Sequence, residues 1–335
     1  MSQPLLEVKN LSVRFPVHGG ILQRKVAEVR AVDDVSFTIN RGETVGLVGE
    51  SGCGKTTVGR ALINILKHIS PGVEVSGQVV YVEKDGKRTD LLALSKSDMV
   101  GYRSKIQMIF QDPYSSLNAR MSVKQIVGEP LEIHHPEMSK KEIEDKVLWL
   151  LERVGLQPEY AGRYPHEFSG GQRQRIGIAR SLSTNPDLII CDEPVSALDV
   201  SVQAQVINLM EDLQKEFGMS YLFIAHDLSV VYHISQRIAV MYLGSMVEIG
   251  SADAVYFDPT HPYSRALLSS VPEPDPTRRS KKRIVLQGDI PTPLNKPSGC
   301  AFRTRCPMAQ ASCAETVPPL AAKQSGAMVA CPHVE

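Results

Sequence analysis

Hydrophobic positions follow two periods along the chain. Over residues 1 to about 48 they form short alternating runs, Leu5-Leu6-Glu7-Val8 and Val35-Ser36-Phe37-Thr38-Ile39, separated by Gly19-Gly20 and by Asn40-Arg41-Gly42. This alternation predicts an antiparallel β layer. Thr44-Val45-Gly46-Leu47-Val48 is instead a continuous apolar run of the kind a buried strand shows. It leads into a glycine-rich loop and a helical stretch predicted from Thr56 to about Lys67. A second helix is predicted over 139–155, opened by a capping box of Ser139 and Glu142 and stopped by Gly155. Ile143, Val147, Leu150, Leu151 and Val154 form its apolar stripe, and Trp149 packs beside them. Leu188-Ile189-Ile190-Cys191 reads as another buried strand. Val202, Val206, Leu209, Leu213 and Phe217 mark a helix ended by Gly218, and Tyr221 to Ala225 follows as a strand. Strands alternating with helices in this way predict a mostly parallel α/β sheet.

After about residue 256 the composition shifts. Pro272, Pro274 and Pro276, then the basic run Arg278 to Arg283, read as a linker into a small C-terminal appendix. There is no internal repeat. The 335 residues carry 37 Lys and Arg against 37 Asp and Glu, so the formal net charge is zero. A nucleic-acid binder usually carries a basic excess, and this balance argues against one. Apolar residues at 42% and charged residues at 22% are ordinary for a globular chain and argue against disorder and against a polytopic membrane protein. The N-terminal Met1-Ser2-Gln3-Pro4-Leu5 lacks a basic region followed by a long apolar run, so no secretory signal is expected and the chain is read as cytosolic.

The first chemical motif is Gly49-Glu50-Ser51-Gly52-Cys53-Gly54-Lys55-Thr56, which matches G-x4-G-K-[ST] between a predicted strand and a predicted helix. Its glycines let backbone N–H groups turn toward phosphates, and the following helix adds its positive N-terminal end. Lys55 is expected to reach the β- and γ-phosphates and Thr56 to hold Mg²⁺, with Thr57 beside it. Asp192 emerges at the carboxyl end of the strand 188–191, where open α/β sheets bind ligands, and suits the Mg²⁺ shell. Glu193 is placed to activate an attacking water, as phosphoryl transfer requires.

A second anion site, Phe168-Ser169-Gly170-Gly171-Gln172, opens another helix. A nucleotide needs only one such site in its own chain, and here the sequence resembles an ATP-binding-cassette (ABC) ATPase. The resemblance covers roughly residues 3–256. It implies a P-loop α/β core with an N-terminal antiparallel β layer and a helical subdomain over about 116–182. In that family the segment Ser169 to Gln172 caps the γ-phosphate bound by a second subunit. Gln111, in Phe110-Gln111-Asp112-Pro113, matches the Q-loop and implies a part in Mg²⁺ binding and catalysis. Asp199, in Ser196-Ala197-Leu198-Asp199, matches the D-loop. His226 matches the switch histidine, and Phe15 the aromatic that stacks on adenine.

Longer stretches are similar to one subfamily, the oligopeptide/dipeptide importer ATPases: Ser51-Gly-Cys-Gly54, Gln111-Asp-Pro-Tyr-Ser-Ser-Leu-Asn118, Glu193-Pro-Val-Ser-Ala-Leu-Asp-Val-Ser201 and His261-Pro-Tyr-Ser-Arg-Ala-Leu-Leu268. The resemblance implies transport-coupled ATP hydrolysis and peripheral location at the cytoplasmic face of the inner membrane. Its implied partners are a second ABC ATPase subunit, two permeases and, indirectly, an extracytoplasmic binding protein. Relatives with this cassette serve peptides, glutathione, nickel or sugars. An ABC ATPase acting on DNA or the ribosome fits less well, because there is no coiled-coil insertion between Gln111 and Ser169 and no second cassette.

Four of the six cysteines, Cys300, Cys306, Cys313 and Cys331, lie in the last 36 residues. In a reducing compartment such a cluster points to metal or redox chemistry before disulfides. The spacing C-x5-C-x6-C-x17-C lacks the tight pairs usual for structural zinc, whereas four thiolates can ligate a 4Fe–4S cluster. The region 257–335 resembles the C-terminal extension of the peptide-importer ATPases, which implies such a cluster. Zinc in a loose tetrahedron and plain buried thiols stay open as alternatives. A metal centre would staple an appendix with too little core of its own, and no route from it to ATP chemistry is expected.

Overall fold

The computed structural model describes residues 3–19, 24–112, 114–271 and 284–335. Gly20, Pro113 and the linker Pro272 to Arg283, singled out in the sequence, lie outside the described residues. The chain divides into two compact units. One comprises Met1–Leu5, Ile39–Glu43 and Ala93–Ile224, and the other Leu6–Thr38, Thr44–Leu92 and Ala225–Glu335.

In the first unit three short parallel strands, Ile106–Ile109, Leu188–Asp192 and Ser220–Ile224, lie side by side in that order. The second and third are buried at every position, which is why their sequences read as unbroken apolar runs rather than alternating ones. Parallel neighbours need crossover connections. The first crossover holds the helices Val123–His134, Lys140–Arg153 and Gly170–Leu182; the second is the helix Val200–Phe217. The capping box of Ser139 and Glu142 forms in both directions, and Gly218 closes Val200–Phe217 with φ of 66°. Trp149 packs edge-on against Phe217, with ring centroids 5.8 Å apart.

The second unit holds two sheets. Pro4–Gly19, Arg24–Asn40, Glu74–Val82 and Arg88–Asp90 form a four-stranded layer in which the first strand pairs antiparallel with the third. Its first two strands are 16 and 17 residues long, far longer than their apolar runs. Ladder hydrogen bonds carry them through polar stretches that alternation does not mark. In the other sheet Thr44–Val48 pairs parallel with Arg237–Tyr242, which turns back antiparallel onto Ser245–Ser251. Gly46 is needed in the first of these strands: a Cβ there would sit 2.2 Å from Val231 on the helix Leu228–Ile234.

Two expectations require correction. The helix after the glycine-rich loop does not run to Lys67. It spans Lys55–Leu62, breaks at Asn64 with φ of 49°, and resumes as the short turn Leu66–Ile69. Asn64 tolerates this left-handed backbone and donates its amide to the Leu91 carbonyl at 2.8 Å. The C-terminal residues, for their part, are more than an appendix: Met328–Val329 adds to the edge of the second sheet, with Val329 opposite Glu248, and Ala321–Ala322 pairs beyond it. Backbone ladder bonds make this join, so no hydrophobic period announces it.

Candidate functional site

The glycine-rich loop follows the buried strand Thr44–Val48 directly. Gly49 and Gly54 take φ of 151° and 105°, and a Cβ on either would meet a backbone carbonyl oxygen, of Met241 at 2.2 Å or of Ala31 at 2.1 Å. Only glycine fits such a close approach in that backbone region. Gly54 caps the helix Lys55–Leu62, so the loop ends at a helix N-terminus, where unpaired N–H groups and the helix dipole favour anions. Lys55 is 5% exposed, and its ammonium donates to the carbonyls of Gly49 at 2.8 Å and Glu50 at 3.1 Å. Cys53 is buried beneath it, and burial pushes its thiol up despite the nearby ammonium. Ser51 and Gly52 are exposed at the tip, and Thr56 and Thr57 are half-buried in the first helical turn. Phe15, half-buried, sits on the strand Pro4–Gly19 of the same unit.

In the other unit, Asp192 ends the strand Leu188–Asp192 with 1% exposure. Glu193, next along, takes φ of 47°, an uncommon backbone for a non-glycine residue. Its N–H is anchored to the Ile224 carbonyl at 2.9 Å. This sharp turn places the Glu193 carboxylate where Gln111 Nε2 donates to it at 2.8 Å. Gln111 and Glu193 are therefore brought together, which chain position alone does not reveal.

Ser169 caps the helix Gly170–Leu182. Its hydroxyl accepts from the Gln172 N–H at 3.3 Å, and the Gln172 side chain accepts from the Ser169 N–H at 3.0 Å. Gly171 lies against the helix Val200–Phe217; a Cβ there would stand 2.5 Å from Val202. Asp199 caps that second helix, accepting from Val202 N–H at 3.0 Å and Ser201 hydroxyl at 2.7 Å, and the Ser201 bond chiefly holds its carboxyl below the usual range. Gly171 thus lets the serine-bearing helix approach the one that Asp199 caps. In the second unit, exposed His226 precedes Asp227, which caps the helix Leu228–Ile234.

The four C-terminal cysteines line one cavity of about 210 Å³, and none is in a disulfide. Burial pushes the Cys300 and Cys306 thiols up, and the other cysteines of the group add to the rise. The Gln310 N–H donates to the Cys313 sulfur at 3.5 Å. Among the described residues no group of three or more His, Cys, Asp or Glu side chains is arranged to hold a metal ion. The cavity is walled on another side by buried His261, whose Nδ1 accepts from the Tyr263 N–H at 3.1 Å. Burial lowers the pKa of this imidazole to about 3.

The ABC transporter family model matches residues 32–196, and the model for the oligopeptide/dipeptide transporter C-terminal region matches residues 247–313. The oligopeptide transport ATP-binding protein AppF of Bacillus subtilis is 52% identical over 333 residues, covering 98% of this chain and 97% of that protein. OppF of Salmonella typhimurium, also an oligopeptide transport ATP-binding protein, is 52% identical over 319 residues, covering 94% and 92%. Among solved structures, the ATP-binding cassette MJ0796, determined as a dimer bound to ADP and Pi, superposes with a TM-score of 0.61 at 26% identity, over 74% of this chain and 99% of that one. The chain belongs to the ABC ATPases of the oligopeptide/dipeptide transporter family.

Within this ABC ATPase the family's C-terminal region contains Cys300, Cys306 and Cys313, while Cys331 lies beyond the matched segment. No helix among the described residues is long and apolar enough to cross a membrane. Sequence reasoning missed two residues that bear on the glycine-rich loop. Tyr263 accepts the Glu50 N–H through its hydroxyl at 2.9 Å, and Arg305 forms an ion pair with the Glu50 carboxylate at 2.9 Å. Glu50 was in view only as a variable position of the motif. Arg305 belongs to the C-terminal region and Glu50 to the glycine-rich loop, so that region touches the loop directly.

Proposed function

We propose that this ABC ATPase powers the import of oligopeptides or dipeptides. The supporting observation is likeness over nearly the whole chain, C-terminal region included, to proteins named for oligopeptide transport. In this reading residues 3–256 form the ATPase domain, with its helical subdomain over about 116–182, and residues 257–335 form the extension. Gly49, Ser51, Gly52, Cys53, Gly54, Lys55, Thr56 and Thr57 hold the ATP phosphates, and Phe15 stacks on adenine. Thr56, Gln111 and Asp192 offer the hard oxygen donors that Mg²⁺ prefers; when bound, the ion neutralises phosphate charge. Glu193 takes the proton of the attacking water, oriented by Gln111, and His226 completes the catalytic set. Ser169, Gly170, Gly171, Gln172 and Asp199 serve the nucleotide of a second ATPase subunit. The assembly is peripheral to the cytoplasmic face of the membrane, with two permeases and an external binding protein.

Exchanging the chain for its Glu193→Gln variant in the host tests the substrate. Uptake of labelled oligopeptides is expected to stop. Intact peptide uptake combined with lost nickel, glutathione or oligosaccharide uptake overturns the peptide reading in favour of that substrate.

The cysteine cavity supports a second part of the proposal, a 4Fe–4S cluster ligated by Cys300, Cys306, Cys313 and Cys331. The reading is supported by four cysteines lining one cavity, none of them in a disulfide, since four thiolates can ligate such a cluster. Full-length protein purified without oxygen is expected to be brown, with about four iron and four labile sulfide per chain, and Cys306→Ser to lose most of the iron. Colourless protein with one zinc per chain replaces the cluster with a zinc site, and Cys306→Ser with full iron removes that residue from the ligand set.

A further inference from the structure

Glu50 occupies the second position of the phosphate loop and is held on three sides by its own unit. Its carbonyl accepts from Lys55, its N–H donates to the buried Tyr263 hydroxyl, and its carboxylate meets Arg305. The Arg305 contact is bidentate: Nη1 reaches Oε2 at 2.9 Å and Oε1 at 3.2 Å, and Nη2 reaches Oε1 at 3.2 Å. The Arg305 side chain is 8% exposed and that of Glu50 24%, so the pair is largely withdrawn from water. Behind it stand Tyr242, Tyr263 and Phe302, with ring centroids 4.8–5.4 Å apart, and Arg305 Nη1 also donates to the Tyr242 hydroxyl at 3.5 Å. Extension and loop also share a cavity of about 230 Å³, lined by Ser51, Gly52 and Cys53 on one side and Ile290, Thr292 and Pro293 on the other.

A loop that binds a triphosphate gains nothing from a free carboxylate at its second position. Arg305 neutralises that charge, and its planar fork restrains the side chain in one orientation. We infer that Arg305 is a positioning residue for nucleotide binding, which makes the cysteine-bearing extension part of the ATP site. The inference rests on the reading of Gly49–Thr56 as the phosphate site. It places the effect on affinity, because Arg305 acts on the resting loop through Glu50 rather than on the transferred phosphoryl group. Removing Arg305 leaves a partly buried carboxylate unpaired beside the incoming phosphates; removing the Glu50 charge as well relieves that defect.

The test uses the full chain with Mg²⁺, a fluorescent ATP analogue for equilibrium binding, and steady-state hydrolysis. Wild-type protein that binds no ATP analogue refutes the phosphate-site reading itself, and the inference with it. Given wild-type binding, Arg305→Ala is expected to weaken it about 10-fold and raise KM similarly, with kcat within about two-fold. Arg305→Ala/Glu50→Gln is expected to recover most of the affinity, since the uncompensated charge is gone. Arg305→Lys, which keeps the charge but loses the fork, falls between, at about three- to five-fold. Should Arg305→Ala not fold, Arg305→Gln and Arg305→Gln/Glu50→Gln, which also remove the cation, carry the same comparison. Folded single variants with wild-type affinity overturn the inference. So does a loss of equal size in the single and double variants, or one confined to kcat.

Discussion

Glu193→Gln is expected to slow ATP turnover by about 10²–10⁴-fold while ATP binding survives, the span a positioned general base contributes. That corresponds to roughly 3–5 kcal/mol of barrier. The substitution is nearly isosteric. Its amide oxygen can still accept the Gln111 Nε2 hydrogen bond now made to the carboxylate at 2.8 Å, so the turn after Asp192 keeps its geometry. What disappears is the basic oxygen. The left-handed backbone at Glu193 supports this role, since a non-glycine residue held there costs on the order of 1–3 kcal/mol and persists only where surrounding structure demands it. The measurement is single-turnover hydrolysis beside equilibrium nucleotide binding. Turnover near the wild-type rate would show that another group takes the proton.

Lys55→Ala is expected to fail differently, losing both binding and chemistry. The Lys55 ammonium is nearly buried and donates to two loop carbonyls. Its removal strips charge stabilisation from the phosphates and leaves Gly49 and Glu50 carbonyls without that donor. Deleting one preorganised donor of this kind costs about 10²–10³-fold in kcat, or roughly 3–4 kcal/mol. The contrast with Glu193→Gln is the informative part: one variant binds ATP and stalls, and the other scarcely binds. Wild-type affinity in Lys55→Ala, measured by the same nucleotide titration, would contradict a phosphate-holding role.

Both variants rest on motifs that are contiguous in the chain. The glycine-rich loop is legible because its chemistry is local: backbone N–H groups, a helix start and one lysine within eight residues. The helix cap at Ser139 is local in the same sense, its side chain bonding the backbone N–H three residues on. Buried strands such as Leu188–Asp192 show themselves because both faces are covered. The break at Asn64 escaped notice because an apolar helical period continues across it, and the competing bond runs to Leu91, far along the chain.

By itself, then, the sequence determined the α/β class, the glycine-rich loop ahead of a helix, the capping box at Ser139 and the family, all carried by residues adjacent in the chain or about one helical turn apart. Tertiary structure alone decided which distant side chains meet. Gln111 reaches Glu193 across 82 positions, and Arg305 reaches Glu50 across 255. It also decided that the C-terminal residues join the second sheet through Met328–Val329. Such contacts leave no periodic trace, because an ion pair or ladder bond depends on where two backbones are brought in space, and packing of the whole unit sets that.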